Sequence, residues 1–188
     1  MPRPQKYYPK PEYTTWTLNQ RTGGEISRLK FVLEGAYGKG CNRLVYVLGT
    51  GIEDHPVKNP TKKVKGLVER IIKKNNLPIN LRHVCQINGL VHVVVYGSKK
   101  DAKKVQESVE KIAREFFCDS RARIGIVEYK GESVGDVYCE LYDALRIVRE
   151  KGGMFHFYDP ENDSIDAILR KELEKIAEEK RCKRSTNS

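Results

Sequence analysis

Side chains that could hold a metal ion or attack a substrate are few in this sequence, and several lie in one segment. His83 and Cys85 precede the dipeptide Asn88-Gly89, and His92 follows it. Because Asn-Gly favours the two-residue turn of a β-hairpin, these side chains would stand on two paired strands. If they shared a face they could approach a metal, but histidines in a sheet are more often structural. No metal and no other cofactor is therefore predicted.

Other motifs of common site chemistry are absent from the sequence. The glycine-rich stretches 35–40 and 49–51 lack the Gly-Lys-Ser/Thr ending of a P-loop and the helix start of a dinucleotide fingerprint. The cysteines are odd in number and never arranged as Cys-x-x-Cys, which predicts reduced thiols rather than disulfides or a zinc knuckle. They are Cys41, Cys85, Cys118, Cys139 and Cys182.

Basic residues carry the strongest functional indication. The 188 residues include 35 Lys and Arg against 25 Asp and Glu, a formal net charge of +10 that favours polyanions such as DNA or RNA. Aromatic residues interleave with the N-terminal charges, as a stacking surface for unpaired bases requires. The alternative is a set of solvated helix faces and a disordered arm. The candidate nucleic-acid contacts are Arg3, Lys6, Lys10, Tyr7, Tyr8, Trp16, Lys62, Lys63, Lys65, Arg70, Lys73, Lys74, Arg121 and Arg123, with a further cluster at Lys99, Lys100, Lys103 and Lys104.

The elements that must position these residues follow from apolar periodicity. A continuous apolar run at 43–49 predicts a buried strand, and Asn59-Pro60 predicts the start of an amphipathic helix. Two strands flank the Asn88-Gly89 turn, after which Ser98 and Asp101 predict a capping box for the next helix.

The second half of the chain continues this alternation. A strand is predicted at 121–129, followed by a helix that Ser133 and Asp136 cap and Gly152-Gly153 terminates. A short strand at 154–158 and a terminal helix follow. The order from residue 43 is β-α-β-β-α-β-α-β, which predicts an α/β (α+β) fold with a ferredoxin-like or palm-like mixed sheet covered by helices.

The chain is predicted to form one domain with two tails, because its length suits a single hydrophobic core. Residues 13–179 would form the domain, beginning with a strand at 13–18 and a helix at 23–35. Residues 1–12 form a basic, proline-rich arm that is expected to be flexible, and residues 180–188 form a basic polar tail.

One family resemblance is carried by the segment RIGIVEYKGESVGDVYCELYDALRIVREKGGMFHFYD, which resembles the C-terminal half of GGDEF domains. These are the diguanylate-cyclase branch of the palm-like nucleotide cyclases. The residues in register with the family pattern are Gly125, Ala144, Leu145, Arg149 and Gly152. The likeness extends over roughly residues 41 to 160 and implies the palm-like topology.

Departures from the family pattern argue against cyclase chemistry, because such enzymes hold two metal ions with acidic side chains. After the first strand the acids are Glu53 and Asp54 only, and the Gly-Gly-Asp-Glu-Phe signature aligns with Asn88 to His92. Hard cations need the oxygen ligands that this alignment lacks. The resemblance implies an alternative role as a guanine-nucleotide or cyclic-dinucleotide receptor, with Arg149 matching a family lysine that contacts phosphate and Asn88-Gly89 nearby.

A weaker resemblance links residues 14–51 to the replication-initiator endonucleases of small single-stranded DNA replicons. Those enzymes use two histidines on one strand and a Tyr nucleophile often spaced Tyr-x-x-Lys. Here the strand supplies only His92, and neither Tyr138 nor Tyr142 has a lysine three residues on. A replication-associated role stays a third hypothesis.

Taken together, these features favour a non-catalytic nucleic-acid-binding or regulatory module on a degenerate GGDEF-like or palm-like scaffold. No run approaches the roughly 18 apolar residues of a membrane span, and the N-terminus lacks a secretory apolar segment. We therefore expect an intracellular protein that is cytoplasmic, or nuclear in a eukaryotic host. The sequence leaves open whether it forms a homodimer.

Overall fold

The computed structural model describes residues 20–38, 42–54 and 58–185. None of the helices in these ranges is long and apolar enough to cross a membrane. The strands are β1 (Arg43–Gly51), β2 (Ile79–Ile87), β3 (Leu90–Ser98), β4 (Ile124–Tyr129) and β5 (Phe155–Phe157). The α-helices are α1 (Gln20–Tyr37), α2 (Pro60–Lys74), α3 (Ala102–Ser120), α4 (Val134–Lys151), α5 (Pro160–Asp163) and α6 (Ile165–Ser185).

The five strands form one mixed sheet in the order β2-β3-β1-β4-β5. All neighbouring pairs are antiparallel except β4 and β5, which are parallel. Strand β3 lies between β1 and β2, and β1 lies between β3 and β4, so the sheet contains two split β-α-β units. The predicted element order and the mixed sheet are confirmed.

Helices cover both faces of this sheet. Helices α2 and α3 bury their apolar residues against one face, and we call them the α2/α3 layer. Helices α1 and α4 cover the other face with residues such as Leu33 and Leu141, and we call them the α1/α4 layer. The sheet is therefore buried on both sides, which explains the continuous apolar runs of its central strands.

Two local signals place the turns and helix ends as predicted. Asn88 and Gly89 have φ angles of 45° and 81°, the positive values of a type I′ hairpin turn. Ser133 and Asp136 form a reciprocal capping box at the start of α4. That helix ends at Gly152, whose φ of 71° suits a residue without a Cβ.

Other local predictions are wrong in detail. Ser98 accepts a hydrogen bond from the Lys100 backbone and caps a short 3-10 turn, while α3 begins after Asp101, whose side chain makes no cap bond. Asn59 is the N-cap of α2 and Pro60 its first residue, as predicted, but Asn59 has a left-handed conformation and makes no side-chain cap bond. The strand predicted at 121–129 begins only at Ile124, and the one predicted at 13–18 lies outside the described residues.

Candidate functional site

The outward side of α2 is the most strongly charged helix surface predicted from the sequence. Val64, Leu67, Val68 and Ile71 are buried, so helical periodicity turns the remaining positions to solvent. The helix has six basic residues against one acidic residue, a net charge of +5. We call its exposed cations the α2 basic face: Lys62, Lys63, Lys65, Arg70, Lys73 and Lys74.

Half of the α2 basic face is paired with carboxylates. Lys65 lies 3.8 Å from Glu69 on the same helix, and two further cations reach across to α3. On α3, Asp119 lies 3.2 Å from Arg70, and Glu115 lies 3.3 Å from the Lys74 amino group. These exposed pairs contribute little to stability. They do, however, reduce the positive charge offered to a ligand.

The other half of the α2 basic face carries its charge outward. Lys62, Lys63 and Lys73 are exposed, and no acidic group of the described residues lies within ion-pairing distance of them. Such cations can contact phosphate without first breaking a salt bridge. On α2 they are the cations that combine exposure with unopposed charge.

The end of α3 places the two predicted arginines differently. Helices α2 and α3 run antiparallel, because Arg70 pairs with Asp119 and the later Lys74 pairs with the earlier Glu115. Arg121 directly follows the end of α3. Arg121 is exposed, whereas Arg123 is partly buried. The Nε of Arg123 donates to the Gly153 carbonyl at 3.2 Å, a contact that ties β4 to the end of α4. The predicted phosphate contact of Arg123 stays a prediction.

A second group of cations lies at the opposite end of this layer. Lys99, Lys100, Lys103 and Lys104 surround the start of α3 and are all exposed. Beside them a groove of about 300 Å³ opens along the first residues of β1. Its lining includes three basic residues, Arg43, Lys99 and Lys130, and one acidic residue, Glu128. Positive charge is thus present at this end of the sheet as well as on α2.

The N-terminal candidates cannot be placed beside these surfaces. Arg3, Lys6, Tyr7, Tyr8, Lys10 and Trp16 lie outside the described residues. Their predicted role in stacking and phosphate contact therefore stays a prediction.

Arg149, the predicted nucleotide contact, lies at the end of β1 and is held by two carboxylates. Its Nη2 atom is 2.6 Å from the Glu53 carboxylate and 3.3 Å from that of Asp54. Gly51 allows this approach, because a Cβ built there would lie 2.6 Å from the same nitrogen. The sequence analysis noted these two acids only as the acidic residues that follow the first strand, and in the structure both pair with the arginine.

The hairpin turn lies at the same end of the sheet, since Gly51 of β1 pairs with Leu90. Asn88 and Gly89 are exposed, and no atom lies within 4 Å of the place where a Gly89 Cβ would stand. The Tyr138 hydroxyl donates to the Asn88 carbonyl at 3.1 Å. This bond fixes the turn against α4 and leaves its outer side open.

The positions aligned with the acidic pair of GGDEF domains lie inside the protein. Leu90 and Val91 are 4% and 0% exposed. Neither side chain has an oxygen ligand, and neither position faces solvent where a hydrated cation could bind. Leu90 and Val91 therefore cannot replace the metal-binding acids that the family pattern has at these positions.

His92, the third of the predicted hairpin residues, is buried beneath α4. Its ring stacks on Tyr138 at a centroid distance of 6.0 Å, and Tyr138 stacks in turn on Tyr142 at 6.4 Å. Neither ring nitrogen has a hydrogen-bond partner of ordinary geometry among the described residues. Burial lowers the pKa of His92 from 6.5 to about 4, against a small opposing effect of the Leu90 backbone. The residue is therefore neutral at physiological pH.

His83 and Cys85 do lie together, as the sequence suggested they could, but without His92. The group that their ligand atoms form includes Glu25 of α1, with all three atoms within 4.8 Å of one another. Sequence analysis missed Glu25, because nothing in the local pattern links α1 to β2.

The solved structures that are similar to this chain include two of low sequence identity. No family model and no curated protein matches the chain. An EAL/GGDEF domain protein from M. capsulatus is 16% identical, with a TM-score of 0.49, and the match covers 76% of this chain and 100% of the other. A de novo designed protein is 15% identical, with a TM-score of 0.36, over 48% of this chain and 99% of its own. At these values the matches say nothing about the chemistry of this chain.

Proposed function

We propose that this protein binds nucleic acid through the phosphate backbone, with the α2 basic face as the principal contact. The observation that carries the proposal is the trio Lys62, Lys63 and Lys73, exposed on one helix surface without acidic partners among the described residues. A convex helix face with spaced cations suits an extended polyanion better than a small ligand, which needs a concave pocket.

The lysines around the start of α3 extend this contact surface. Lys99, Lys100 and Lys103 lie beside the groove at the first residues of β1, so a strand of nucleic acid could continue from α2 toward that end. Phosphate contacts position a nucleic acid without reading its sequence. We therefore propose binding with little sequence preference.

Salt-dependent binding to labelled oligonucleotides tests the proposal. Fluorescence anisotropy would measure affinity for a single strand, a DNA duplex and an RNA duplex across a salt series. Replacing Lys62, Lys63 and Lys73 by Glu removes up to three phosphate contacts. We expect affinity to fall at least about 10-fold at low salt, and the salt slope to become shallower by about three.

A matched variant separates a local contact from a change in net charge. Lys30, Lys151 and Lys175 are exposed and lie away from α2, on α1, α4 and α6. Replacing these three by Glu changes the net charge by the same amount and should leave most of the affinity intact. Equal losses in the two triple variants, or no binding by the wild-type chain at low salt, would refute the proposed interface.

The contacts at the end of β1 favour nucleic acid over a guanine nucleotide as the ligand. In a nucleotide receptor of the GGDEF type, Arg149 would contact phosphate. Here Glu53 and Asp54 already hold its guanidinium, so a phosphate would have to displace at least one carboxylate. If a nucleotide bound at Arg149, it would raise the thermal stability of the wild-type chain more than sulfate does.

A further inference from the structure

Three side chains of different chemistry converge between α1 and the edge strand β2. Glu25 comes from α1, and His83 and Cys85 come from β2. One carboxylate oxygen, one imidazole nitrogen and one sulfur lie within 4.8 Å of one another. The group is on the α1/α4 layer, on the opposite side of the sheet from the α2 basic face.

An irregularity in β2 directs His83 into this group. The pairing of β2 with β3 shifts register between Leu81 and His83. Before the shift Leu81 faces the α2/α3 layer, and after it Cys85 faces the α1/α4 layer. A bulge of this kind turns a side chain toward the other face, and bulges are common beside functional sites. From His83 to the turn the pairing is regular, so His83 and Cys85, two residues apart, share the face that the α1/α4 layer covers.

The imidazole is available as a ligand. The Nε2 atom of His83 is buried and has no hydrogen-bond partner among the described residues. Burial, with the nearby Arg28, lowers the pKa of His83, so its ring is neutral at pH 7 and retains a nitrogen lone pair. A buried nitrogen without a partner carries a desolvation cost that coordination would remove.

The Cys85 thiol is protonated at neutral pH unless a metal ion binds it. Burial raises the pKa of Cys85 to about 12, and the adjacent Glu25 adds to the shift. Without a metal the residue is therefore a thiol. Coordination of a divalent ion would release the thiol proton to solvent and form a metal–thiolate bond.

We propose that Glu25, His83 and Cys85 form a zinc-binding site with a fourth position open to water or another ligand. Thiolate and imidazole together select zinc over magnesium or calcium, which prefer oxygen ligands. In a tetrahedral zinc site neighbouring ligand atoms lie roughly 3.3–3.8 Å apart, so the observed group needs only small side-chain movements to close.

The charges around the group are compatible with this ion. Arg28, Arg82 and Lys65 lie near enough to influence His83, which disfavours an added positive charge. Zinc binding with release of the thiol proton adds one positive charge to the group, and the resulting site, with one carboxylate and one thiolate, is neutral overall. It would also link α1 to β2 by direct bonds.

Metal titration of the full chain tests this site. Free zinc at a concentration about 100-fold above the dissociation constant should raise the melting temperature by about 5–10 °C, whereas magnesium should not. Cobalt substitution should add a thiolate-to-metal charge-transfer absorption. Glu25→Gln should weaken zinc binding without changing the melting temperature of the metal-free protein, because Glu25 is only partly buried.

Cysteine variants identify the thiolate. Cys85→Ala should abolish the cobalt–thiolate absorption. The control is Cys118→Ser, at an exposed cysteine on α3, which should retain the absorption and bind zinc with wild-type affinity. His83→Gln should bind zinc at least 10-fold more weakly. If the wild-type chain shows no zinc-dependent shift, or if Cys85→Ala retains the absorption, the site does not exist as proposed.

Discussion

The α2/α3 layer and the α1/α4 layer cover the same sheet but hold their polar groups in different places. Beneath α2 and α3 the packing is mostly apolar, the hydroxyls of Tyr46 and Ser108 are among its buried polar groups, and Ser108 donates to the Lys104 carbonyl at 2.6 Å. Beneath α1 and α4 the interface includes His92 and Cys85, both buried. One layer thus carries charge outward, and the other encloses an imidazole and a thiol.

This difference indicates which kind of experiment is sensitive to each layer. A cation on an exposed helix changes long-range attraction and salt dependence but little else. A buried titratable group instead couples stability to pH, because its protonation differs between the folded and unfolded chain. We therefore expect the α2/α3 layer to govern binding and the α1/α4 layer to govern the pH dependence of folding.

The largest effect expected in the α1/α4 layer comes from His92. Its folded pKa of about 4 lies below the unfolded value of 6.5, so the unfolded chain takes up the proton first as the pH falls. The contribution of this pKa difference to the free energy of unfolding is present above pH 6.5 and is lost between about pH 6.5 and 4. The loss amounts to about 3 kcal/mol. His92→Phe keeps a ring against Tyr138 and should remove this part of the pH dependence.

Urea unfolding of both proteins at a series of pH values measures the difference. Other groups with shifted pKa values, such as His83 and Glu140, are present in both proteins, so their contributions cancel when the two slopes are compared. A His92→Phe chain that loses as much stability as wild type between pH 7 and 4 would contradict a buried neutral histidine.

Backbone packing under α4 gives the next largest effect. A Cβ on Gly125 would lie 2.7 Å from the Leu141 carbonyl oxygen and 3.1 Å from the Leu145 nitrogen, so α4 itself would have to move. Gly125→Ala should destabilise the fold by about 1–3 kcal/mol in urea unfolding. The matched control lies on α2, where Gly66 is exposed with no atom within 4 Å of its would-be Cβ.

Gly66→Ala should stabilise the protein by about 1 kcal/mol, because alanine favours a helix interior. Opposite signs for the two glycine substitutions would support close packing under α4 and an open surface on α2. Destabilisation by Gly66→Ala would mean that this surface of α2 is covered.

Glu140 on α4 provides a smaller effect of opposite pH dependence. Burial raises its pKa from 4.5 to about 7, with Glu132 and Asp136 adding to the shift. The folded state favours the protonated acid, so its contribution is present below pH 4.5 and lost as the pH rises through 7. Glu140→Gln should therefore stabilise the chain at pH 8 and have no effect near pH 4. The gain at pH 8 should be only about 1 kcal/mol, because solvent screens a partly buried group.

The control for this effect is Glu174→Gln on α6, an exposed position. It should leave the unfolding midpoint unchanged at both pH values. If Glu140→Gln also has no effect at pH 8, the acid is ionised without cost and the α4 surface is better solvated than its burial indicates.

Much of the fold could be predicted because its signals are local. The Asn88-Gly89 turn, the Ser133 capping box and the apolar run of β1 each depend on a few consecutive residues. Their spacing alone specified the element order. The errors also have local causes, since Ser98 caps a 3-10 turn that the helical pattern does not distinguish from a first α-helical turn.

The sites were less predictable because they depend on contacts between distant residues. Arg149 and Asp54 are 95 residues apart, and their contact depends on Gly51 leaving space at the end of β1. His83 and Cys85 join Glu25 through the packing of α1 beside β2, which no local pattern indicates. Two of the three ion pairs on α2 likewise depend on α3, so the sequence could identify the cations but not all of those that are opposed.

The smallest effect we predict concerns the arginine at the end of β1. Replacing Glu53 by Gln and Asp54 by Asn together frees the Arg149 guanidinium from both carboxylates. Because Arg149 and both acids remain partly accessible to solvent, the free energy of unfolding should change by less than about 1 kcal/mol. Anion binding should strengthen a few-fold, measured as a larger thermal shift with GTP or pyrophosphate than in wild type.

The same double variant separates this end of the sheet from the α2 basic face. Its affinity for oligonucleotides should match that of Glu172→Gln with Glu174→Gln on α6, which removes the same two charges at exposed positions. A selective gain in oligonucleotide affinity would mean that nucleic acid passes over the end of β1. In that case Arg149 belongs to the same interface as α2, and the division of roles between the two layers would be wrong.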